Sequence, residues 1–228
     1  MFFKEIFFPT SCLLCGKLGP FLCLACQKEL ILYEKNICFY CKKQSLFGLT
    51  HPPCKRKNGI DGSIFIYRYN NSMKKIIKKI KYRLVKNAFI NLLKISSDHI
   101  YKKLKPILKL YNNMIIIPIP LHKTRLNIRG FNQTEIITGF LTKYFRLKET
   151  RCLVKQKNTK TQATLKSKKD RLFNIKGAFL VSANANIINR NCILIDDVVT
   201  SGSTVKEACI KLKQKGANKV FIFALAKG

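Results

Sequence analysis

The stretch ILIDDVVTSGST, residues 193–204, decides the fold of this chain. Residues 193–195 form an apolar, mostly β-branched run, which is typical of a strand buried on both faces of a parallel sheet. Asp196 and Asp197 follow, and a loop of small residues then leads into a helix that the apolar spacing predicts over residues 205–215. This order of strand, acids, loop and helix predicts an α/β domain.

The loop is suited to a sugar phosphate. Its backbone N–H groups and the unpaired donors of the following helix attract a phosphate, and the two carboxylates can accept hydrogen bonds from vicinal hydroxyls. Asp, Ser and Thr also act as plain caps at such turns. Two adjacent acids in a chain with only 11 acidic residues favour the binding site. The candidate binding residues after the acids are Val199, Thr200, Ser201, Gly202, Ser203 and Thr204.

Length and composition narrow the class of protein. The 228 residues suffice for one α/β domain and a small accessory module. An apolar share of 47% excludes a wholly disordered chain. No apolar run approaches the roughly 20 residues of a membrane span, and the opening MFFKEIFF is too short for a signal peptide and contains charges. These features predict a cytoplasmic protein without a membrane span.

The formal net charge of +33 predicts affinity for polyanions, with a strong dependence on salt. Lysine supplies most of this charge beside abundant Ile and Asn, so part of it reflects the base composition of the genome. A helix predicted to be capped by Asn71 or Ser72 carries apolar residues at spacings of 3, 4 and 7, with lysines on its opposite face. That face is either simply solvated or a contact surface for nucleic acid or a membrane.

Three CxxC pairs and one further cysteine lie within the first 54 residues. In a cytoplasmic chain they indicate thiolate zinc sites in preference to disulfides or redox motifs. A complete tetrahedral set is Cys12, Cys15, Cys23 and Cys26, and an imperfect second set is Cys38, Cys41, His51 and Cys54. Interleaved pairing of the knuckles, a metal-free second set and a surface position for His51 are open alternatives.

The cysteine-rich head, residues 1–58, is too small to bury a core, so metal would supply much of its folding free energy. Its lysines and aromatic rings could bind phosphates and bases, or the rings could simply pack a small zinc core. Those aromatic residues are Phe21, Tyr33, Phe39 and Tyr40. The remaining cysteines, expected to be buried small hydrophobes, are Cys152, Cys192 and Cys209.

The middle of the chain contains further predicted elements. Apolar runs predict strands at residues 63–69 and 114–120, and a second helix is predicted over residues 87–105, ended by Pro106. Residues 158–169 are polar, basic and poor in apolar side chains, so they are predicted to form a mobile loop.

Several segments resemble the ComF family, the phosphoribosyltransferase-like proteins of bacterial competence. They are PIPLHK at residues 118–123, RGFNQ at residues 129–133, and the series Thr161, Gln162, Ala163, Leu165, Arg171, Asn174, Gly177 and Phe179. The cysteine-rich head and the DDVVTSGST loop belong to the same pattern, so the resemblance spans nearly the whole chain. The family often shows a fourth CxxC where this chain has Cys54 and Lys57.

The resemblance implies a fold and a ligand. The fold is a double zinc-ribbon-like module at residues 1–58, followed at residues 59–228 by a type I phosphoribosyltransferase-like domain with a mainly parallel sheet. Asp196 and Asp197 would hold the ribose hydroxyls of phosphoribosyl diphosphate, and residues 199–204 would wrap its 5′-phosphate. Mg²⁺ would lie on the diphosphate.

The resemblance also places the loop at residues 121–123 beside the diphosphate. Candidate contacts for diphosphate or DNA are Lys123, Arg125, Arg129 and Arg171. His122 would be either an acid or base near pH 7 or a structural group. The loop at residues 158–169 would close over a substrate or hold nucleic acid.

The implied function is DNA uptake through the handling of single-stranded DNA. Single-stranded DNA, phosphoribosyl diphosphate and a DNA-translocating helicase are the candidate partners. An active phosphoribosyltransferase, which would join ribose to a base or another nucleophile, is the alternative, and a sensor that binds the ligand without turnover is a third hypothesis. No motif identifies a catalytic residue or an acceptor, so the sequence leaves catalysis open.

Overall fold

The computed structural model describes residues 10–83, 86–159 and 167–228. The segment MFFKEIFF and the predicted family positions Thr161, Gln162, Ala163 and Leu165 lie outside the described residues. The described strands are β1 Gly62–Arg68, β2 Met114–Pro118, β3 Lys148–Glu149, β4 Leu153–Lys155, β5 Phe179–Val181, β6 Asn191–Val199 and β7 Val220–Lys227. The described α-helices are α1 Leu24–Gln27, α2 Asn71–Arg83, α3 Lys86–Ile95, α4 Ser97–Leu110, α5 Lys123–Arg129, α6 Gln133–Phe145, α7 Lys168–Ile175 and α8 Ser203–Gln214.

The main sheet has five strands in the order β1-β7-β6-β2-β3, and all of its pairings are parallel. Its central strands β6, β7 and β2 are buried along nearly their whole length, as continuous apolar runs in a parallel sheet require. Strands β4 and β5 form a separate antiparallel pair. The predicted α/β class with a mainly parallel sheet is therefore confirmed.

The core consists of two clusters that lie on opposite faces of the sheet. Along β6, Ile193 and Ile195 belong to one cluster, whereas Cys192 and Leu194 belong to the other, because successive strand side chains point to opposite faces. The first face, here called the α2 face, is covered by α2, α3, α4 and α6. The second face, here called the α8 face, is covered by α8 and the antiparallel pair of strands β4 and β5. The cysteines of the sheet domain, Cys152, Cys192 and Cys209, are all buried, as expected.

The head consists of tight turns. Short 3-10 segments lie at Leu46–Gly48 and Pro52–Cys54. The two knuckle turns close with backbone hydrogen bonds, from Gly16 N–H to Cys12 O at 3.0 Å and from Lys42 N–H to Cys38 O at 3.1 Å. Leu13, Leu22 and Leu30 of the head belong to the core cluster on the α2 face, whereas Ile37 and Phe39 belong to the cluster on the α8 face. The head therefore packs into both halves of the core.

Two helix predictions need correction. The single helix predicted over residues 87–105 is wrong, because the segment breaks at Ser96 between α3 and α4. The Ser96 hydroxyl bonds Leu92 O at 2.6 Å and the Tyr67 hydroxyl at 2.8 Å, which competes with regular helix geometry. Pro106 lies inside α4 and does not end it, because the following turn buries Ile107 completely. Burial of apolar side chains outweighs the lost backbone donor of proline.

The boundaries of two other elements differ from the prediction by one or two residues. Asn70, which precedes the predicted cap positions, accepts a hydrogen bond from Met73 N–H at 2.9 Å at the start of α2. Helix α7 starts at Lys168, inside the predicted loop at residues 158–169, and Ser167 Oγ accepts the Asp170 N–H at 2.9 Å. Within the described ranges, every helix is too short or too polar to cross a bilayer.

Candidate functional site

The two aspartates stand at the carboxyl end of β6, in the middle of the sheet. Asp197 is buried, and its Oδ2 lies 2.5 Å from Lys81 Nζ of α2, which forms an ion pair. The Asp197 N–H donates to Asp196 Oδ1 at 2.9 Å. Neighbouring strand residues point to opposite faces of the sheet. Asp197 therefore contacts helix α2 on the α2 face, whereas Asp196 interacts electrostatically with Lys155 of β4 on the α8 face. The acid pair thus has one side chain on each face of the sheet, near the carboxyl end of its central strand.

The carboxyl group of Asp196 is the strongly perturbed acid of the site. Its pKa is raised from 3.8 to about 7, because burial and, to a smaller extent, the charge of Asp197 raise it by more than Lys81 lowers it. Desolvation penalises the charged form of a carboxyl group, and a second carboxylate adds repulsion. Asp196 therefore changes its charge near neutral pH, which is a common property of residues in binding and active sites.

The loop after the acids turns at Gly202, which caps α8 in a left-handed conformation with φ of 75°. The Ser201 and Ser203 hydroxyls lie 3.0 Å apart at the first turn of α8. The ammonium group of the buried Lys227 donates a hydrogen bond to Thr200 O at 3.1 Å, and Gly228 N–H donates one to Val199 O at 3.1 Å. The predicted phosphate loop is therefore a real turn at a helix N-terminus, tied on one side to the end of β7.

The predicted cationic residues lie on three different segments. His122 caps α5, where its Nδ1 accepts the Thr124 N–H at 3.3 Å, and Lys123 is the first, exposed residue of that helix. Because Nδ1 is engaged in capping, the structural interpretation of His122 fits this geometry. Arg125 donates a hydrogen bond to Thr159 O, which joins α5 to the segment after β4.

The other two predicted cations differ in their surroundings. Arg129 Nη1 donates to Gln133 Oε1 at 2.9 Å, so its guanidinium is held between the end of α5 and the start of α6. Arg171 lies in α7, beyond residues 160–166. Arg125 is linked electrostatically to the acid pair, because its charge lowers the pKa of Lys155, which interacts in turn with Asp196.

Lys155 was missed by sequence reasoning. It ends β4, and its pKa is lowered from 10.5 to about 8, because burial and, to a smaller extent, the charge of Arg125 lower it by more than Asp196 raises it. Its ammonium lies 5.6 Å from the centre of the Phe179 ring. The sequence around it holds no motif, so its electrostatic interaction with Asp196 becomes evident only in the folded structure.

The cysteines form two consecutive sets, not interleaved ones. In each set the candidate ligand atoms lie within 4.8 Å of one another, and the sets are those predicted: Cys12, Cys15, Cys23 and Cys26, then Cys38, Cys41, His51 and Cys54. The cysteines of the described chain are all free thiols. The first set offers four sulfur ligands around one point and the second offers three sulfur ligands and one imidazole, and both combinations suit structural zinc.

The local hydrogen bonds fit metal ligation. His51 Nδ1 points at Cys41 Sγ, 3.3 Å away, while its Nε2 lies 3.1 Å from Gln44 O. A carbonyl at Nε2 fixes the tautomer that leaves Nδ1 free to bind a metal. Burial raises the pKa of Cys12, but backbone hydrogen bonds led by that from Cys23 outweigh it and lower the pKa to about 6. A thiol that ionises this readily is prepared to bind zinc.

The aromatic residues of the head divide between packing and exposure. Phe39 is only 2% exposed, so the packing interpretation applies to it and base stacking is excluded for its ring. Tyr40 accepts the Ile60 N–H at 2.9 Å, and Arg56 lies over its ring at 4.6 Å. Phe21 and Tyr33 are partly exposed.

The amino-acid sequence is similar to those of known proteins. Residues 128–228 match the family model described as the phosphoribosyl transferase domain. Competence protein F of Haemophilus influenzae is 28% identical over 213 residues, covering 90% of each chain. Competence protein ComFC of Bacillus subtilis is 28% identical over 214 residues, 90% of this chain and 84% of its own, and DNA utilization protein YhgH of Escherichia coli K12 is 26% identical over 228 residues, 91% of this chain and 97% of its own.

The parallel sheet, the strand-to-helix loop and the matching domain define a phosphoribosyltransferase-type α/β protein. The matches to competence proteins extend this likeness over 90% of the chain, including most of the cysteine-rich head. By its sequence and its fold the chain resembles the ComF proteins along most of its length.

Proposed function

We propose that this chain binds phosphoribosyl diphosphate with Mg²⁺ at the carboxyl end of β6 and acts in DNA uptake by handling single-stranded DNA. The observation that supports the ligand is the junction of the acid pair, Asp196 and Asp197, with the Gly202 turn at the N-terminus of α8. The process is supported by the relatives, which are named as competence proteins and as a DNA utilization protein.

In this proposal the two carboxylates accept hydrogen bonds from the ribose hydroxyls, and residues 199–204 hold the 5′-phosphate. The N-terminus of α8 carries the positive end of the helix dipole and unpaired N–H groups, which favour a phosphate. Gly202 lets the backbone approach the ligand closely, and the hydroxyls of Ser201 and Ser203 add hydrogen-bond donors.

The diphosphate would lie towards the cations of the α8 face. Lys155 and Arg125 supply positive charge near Asp196, and the exposed Lys123 stands at the start of α5. Arg129 and Arg171 stay candidate contacts for diphosphate or DNA. The carboxylates of the site are oxygen donors, the ligand type that Mg²⁺ requires, and the ion would neutralise charge on the diphosphate.

The head is proposed to be a double zinc-ribbon-like module at residues 1–58, with the phosphoribosyltransferase-like domain at residues 59–228. Each cysteine set would hold one structural zinc, through four thiolates in the first set and three thiolates and His51 in the second. Free thiols in metal-ligating sets belong in a reducing compartment, so we propose a cytoplasmic location.

Single-stranded DNA is proposed to bind along the lysine-rich face of α2. Met73, Ile76, Ile77 and Ile80 of this helix are buried, while Lys74, Lys75 and Lys78 are exposed. Such a face can follow a phosphate backbone without reading its sequence. Because Lys81 of the same helix reaches Asp197, the proposed DNA surface adjoins the proposed ligand site. A DNA-translocating helicase is the candidate protein partner.

An active phosphoribosyltransferase is the second candidate. The supporting observation is that Asp196 and Lys155 interact with each other while their pKa values are shifted to about 7 and about 8. Groups that titrate near neutral pH are suited to general acid–base catalysis. Release of diphosphate from phosphoribosyl diphosphate in the presence of Mg²⁺ and a panel of bases would identify this activity.

The test of the ligand site is calorimetric titration of the protein with phosphoribosyl diphosphate and Mg²⁺. Replacing Asp197→Asn is expected to weaken binding by about tenfold or more, because the variant loses charged acceptors for the ribose hydroxyls. Asp98→Asn is the matched control, since this aspartate is exposed in the first turn of α4. Absence of binding by the unmodified protein would refute the ligand proposal.

A further inference from the structure

Phe39 is an aromatic residue of the second knuckle whose side chain is buried. It lies between Cys38 and Cys41, in a turn closed by the hydrogen bonds from Lys42 N–H to Cys38 O at 3.1 Å and from Cys38 N–H to Lys43 O at 2.9 Å. Its side chain belongs to the core cluster of the α8 face together with Val199 and Val205. The turn that the ligands shape therefore determines where this ring points.

The ring contacts the phosphate loop at its most constrained residue. A Cβ atom placed on Gly202 would lie 2.6 Å from Phe39 Cζ and 3.3 Å from Phe39 Cε2. Gly202 thus lacks room for any side chain, and its positive φ favours glycine as well. Because Gly202 O accepts the Lys206 N–H at 3.0 Å, the same residue fixes the first turn of α8.

A second group of contacts joins the rest of the knuckle to α8. Lys206 Nζ lies 5.6 Å from the centre of the Phe39 ring and 5.9 Å from that of Tyr40. Further along the helix, Cys209 Sγ lies 3.7 Å from Asn58 O, just after the last ligand of the second set. The second knuckle therefore packs along the helix whose N-terminus forms the loop.

We propose that Phe39 is a positioning residue, which holds Gly202 in its left-handed conformation and so aims the loop at the 5′-phosphate. This inference rests on the proposed ligand site. Since the metal ligands on either side of Phe39 hold the ring in place, zinc in the second set and phosphoribosyl diphosphate in the loop stabilise each other. Such coupling is reciprocal, so each ligand changes the affinity of the other by the same factor.

The first test asks whether the ring affects ligand binding. Phe39→Leu is expected to weaken calorimetric binding of phosphoribosyl diphosphate by about tenfold while zinc content measured by elemental analysis stays unchanged. Phe21→Leu is the control, because Phe21 packs against the core of the α2 face and is remote from Gly202 in the two-face arrangement. Equal affinity of Phe39→Leu and the unmodified protein would overturn the positioning role.

The second test runs in the opposite direction and needs no sugar phosphate. Gly202→Ala places a methyl group against Phe39 and is expected to weaken the binding of one of the two zinc equivalents several-fold, measured by equilibrium competition with a chromophoric chelator. Gly216→Ala is the matched control, since Gly216 also has positive φ, of 94°, but faces Ile188. Unchanged zinc affinity in Gly202→Ala would contradict the coupling even if Phe39→Leu failed to fold.

The two proposals fail in distinguishable ways. If the unmodified protein does not bind phosphoribosyl diphosphate, the ligand site is wrong, and the zinc affinity of Gly202→Ala still decides whether the ring and the loop are coupled. If the unmodified protein binds the ligand but the ligand does not raise the zinc affinity of the second set, the ligand site stands and the coupling is refuted.

Discussion

The two cysteine sets have similar chemistry but support different parts of the molecule. The first set is flanked by Leu13 and Leu22, which join the large cluster on the α2 face, and Cys12 and Cys26 are themselves buried there. In the second set, Phe39 lies between two of the cysteines and packs in the core of the α8 face, next to Gly202 of the candidate phosphate loop. The first set is therefore part of the core, whereas the second set adjoins the candidate ligand site.

Further contacts of the head follow the same division. Near the first set, Glu29 accepts hydrogen bonds from the side chains of Asn70, at 3.0 Å to its carbonyl, and Ser72, at 2.6 Å to its carboxylate, at the start of α2. The second set is followed by Asp61, which forms ion pairs with Lys213 of α8 at 2.6 Å and with Lys219 at 3.4 Å. Loss of metal from the two sets should consequently have different effects, on stability in one case and on ligand binding in the other.

The largest effect is expected from breaking the first set. Cys26→Ser removes a buried cysteine of the first set, so we expect the free energy of unfolding to fall by about 3 kcal/mol or more, because the zinc proposed to bind there would supply folding free energy. Urea unfolding followed by circular dichroism measures this change. Cys152→Ser serves as a control for a buried cysteine outside the metal sets. A stability loss no larger than that of the control would show that the first set is not integrated with the core.

Breaking the second set should reduce ligand affinity more than stability. Cys41→Ser is expected to weaken binding of phosphoribosyl diphosphate by more than about tenfold, since the turn that holds Phe39 loses a ligand. The exposed position of Cys41 should keep the change in unfolding free energy well below that of Cys26→Ser. Calorimetry and urea unfolding of the same two variants test the comparison directly, and reversed rankings would break it.

Ligand affinity should also depend on pH through Asp196. Its raised pKa means that the ligand-free folded protein retains a proton that the unfolded chain releases, so this residue's contribution to stability is present below about pH 4 and is lost as pH rises through about 7. The ionised form is the better hydrogen-bond acceptor, so affinity should increase by about tenfold between about pH 6 and about pH 8.

Calorimetry at the two pH values measures this increase. The phosphate groups of the ligand also titrate in this range, and Asp196→Asn reports their share because it lacks the carboxyl group. An identical pH dependence in the two proteins would remove Asp196 from the explanation. Zinc content should be compared at both pH values, so that a change on the loop side is not confused with metal loss.

The smallest effect is expected on the lysine-rich face of helix α2, where DNA is proposed to bind. Replacing the exposed Lys74 and Lys78 together by Gln should make the log-log dependence of single-stranded DNA affinity on salt less steep by about 1.4, or about 0.7 for each lost phosphate contact. Affinity for phosphoribosyl diphosphate should not change. Fluorescence anisotropy with a labelled oligonucleotide across a salt series gives the slope. An equal change for Lys102 and Lys109, which are exposed on α4, would assign DNA binding to the overall charge.

The sequence predicted the parts of the molecule in which neighbouring residues act together. The acid pair and its loop are contiguous, and ligand spacing alone defined both cysteine sets, so local chemistry was sufficient. Lys81 and Lys155 could not be found this way, because Lys81 reaches Asp197 from α2 and Lys155 interacts electrostatically with Asp196 from the antiparallel β4–β5 pair. Their positions depend on which helix or strand packs against the end of β6, and that follows from tertiary packing.

The same limit explains the other differences. Pro106 has a strong local tendency to end a helix, but the burial of Ile107 outweighs it. The contact between Phe39 and Gly202 joins residues more than 160 positions apart, and no spacing rule connects them. Gly202 in TSGST was predicted only as part of the ligand-binding loop, whereas the structure shows that it also accommodates an aromatic ring from the head.

The order of strands in the sheet has a consequence for how the protein is made. Strand β1, Gly62–Arg68, pairs along its length with β7, Val220–Lys227, which lies between β1 and β6. A ribosome releases β1 long before β7, so the edge of β1 has to wait for a partner during most of synthesis. Long-range parallel pairing of this kind is slow and exposes unpaired strand edges to aggregation. Folding yield in cells should therefore depend on translation speed and chaperones more than the equilibrium stability of the finished sheet would suggest.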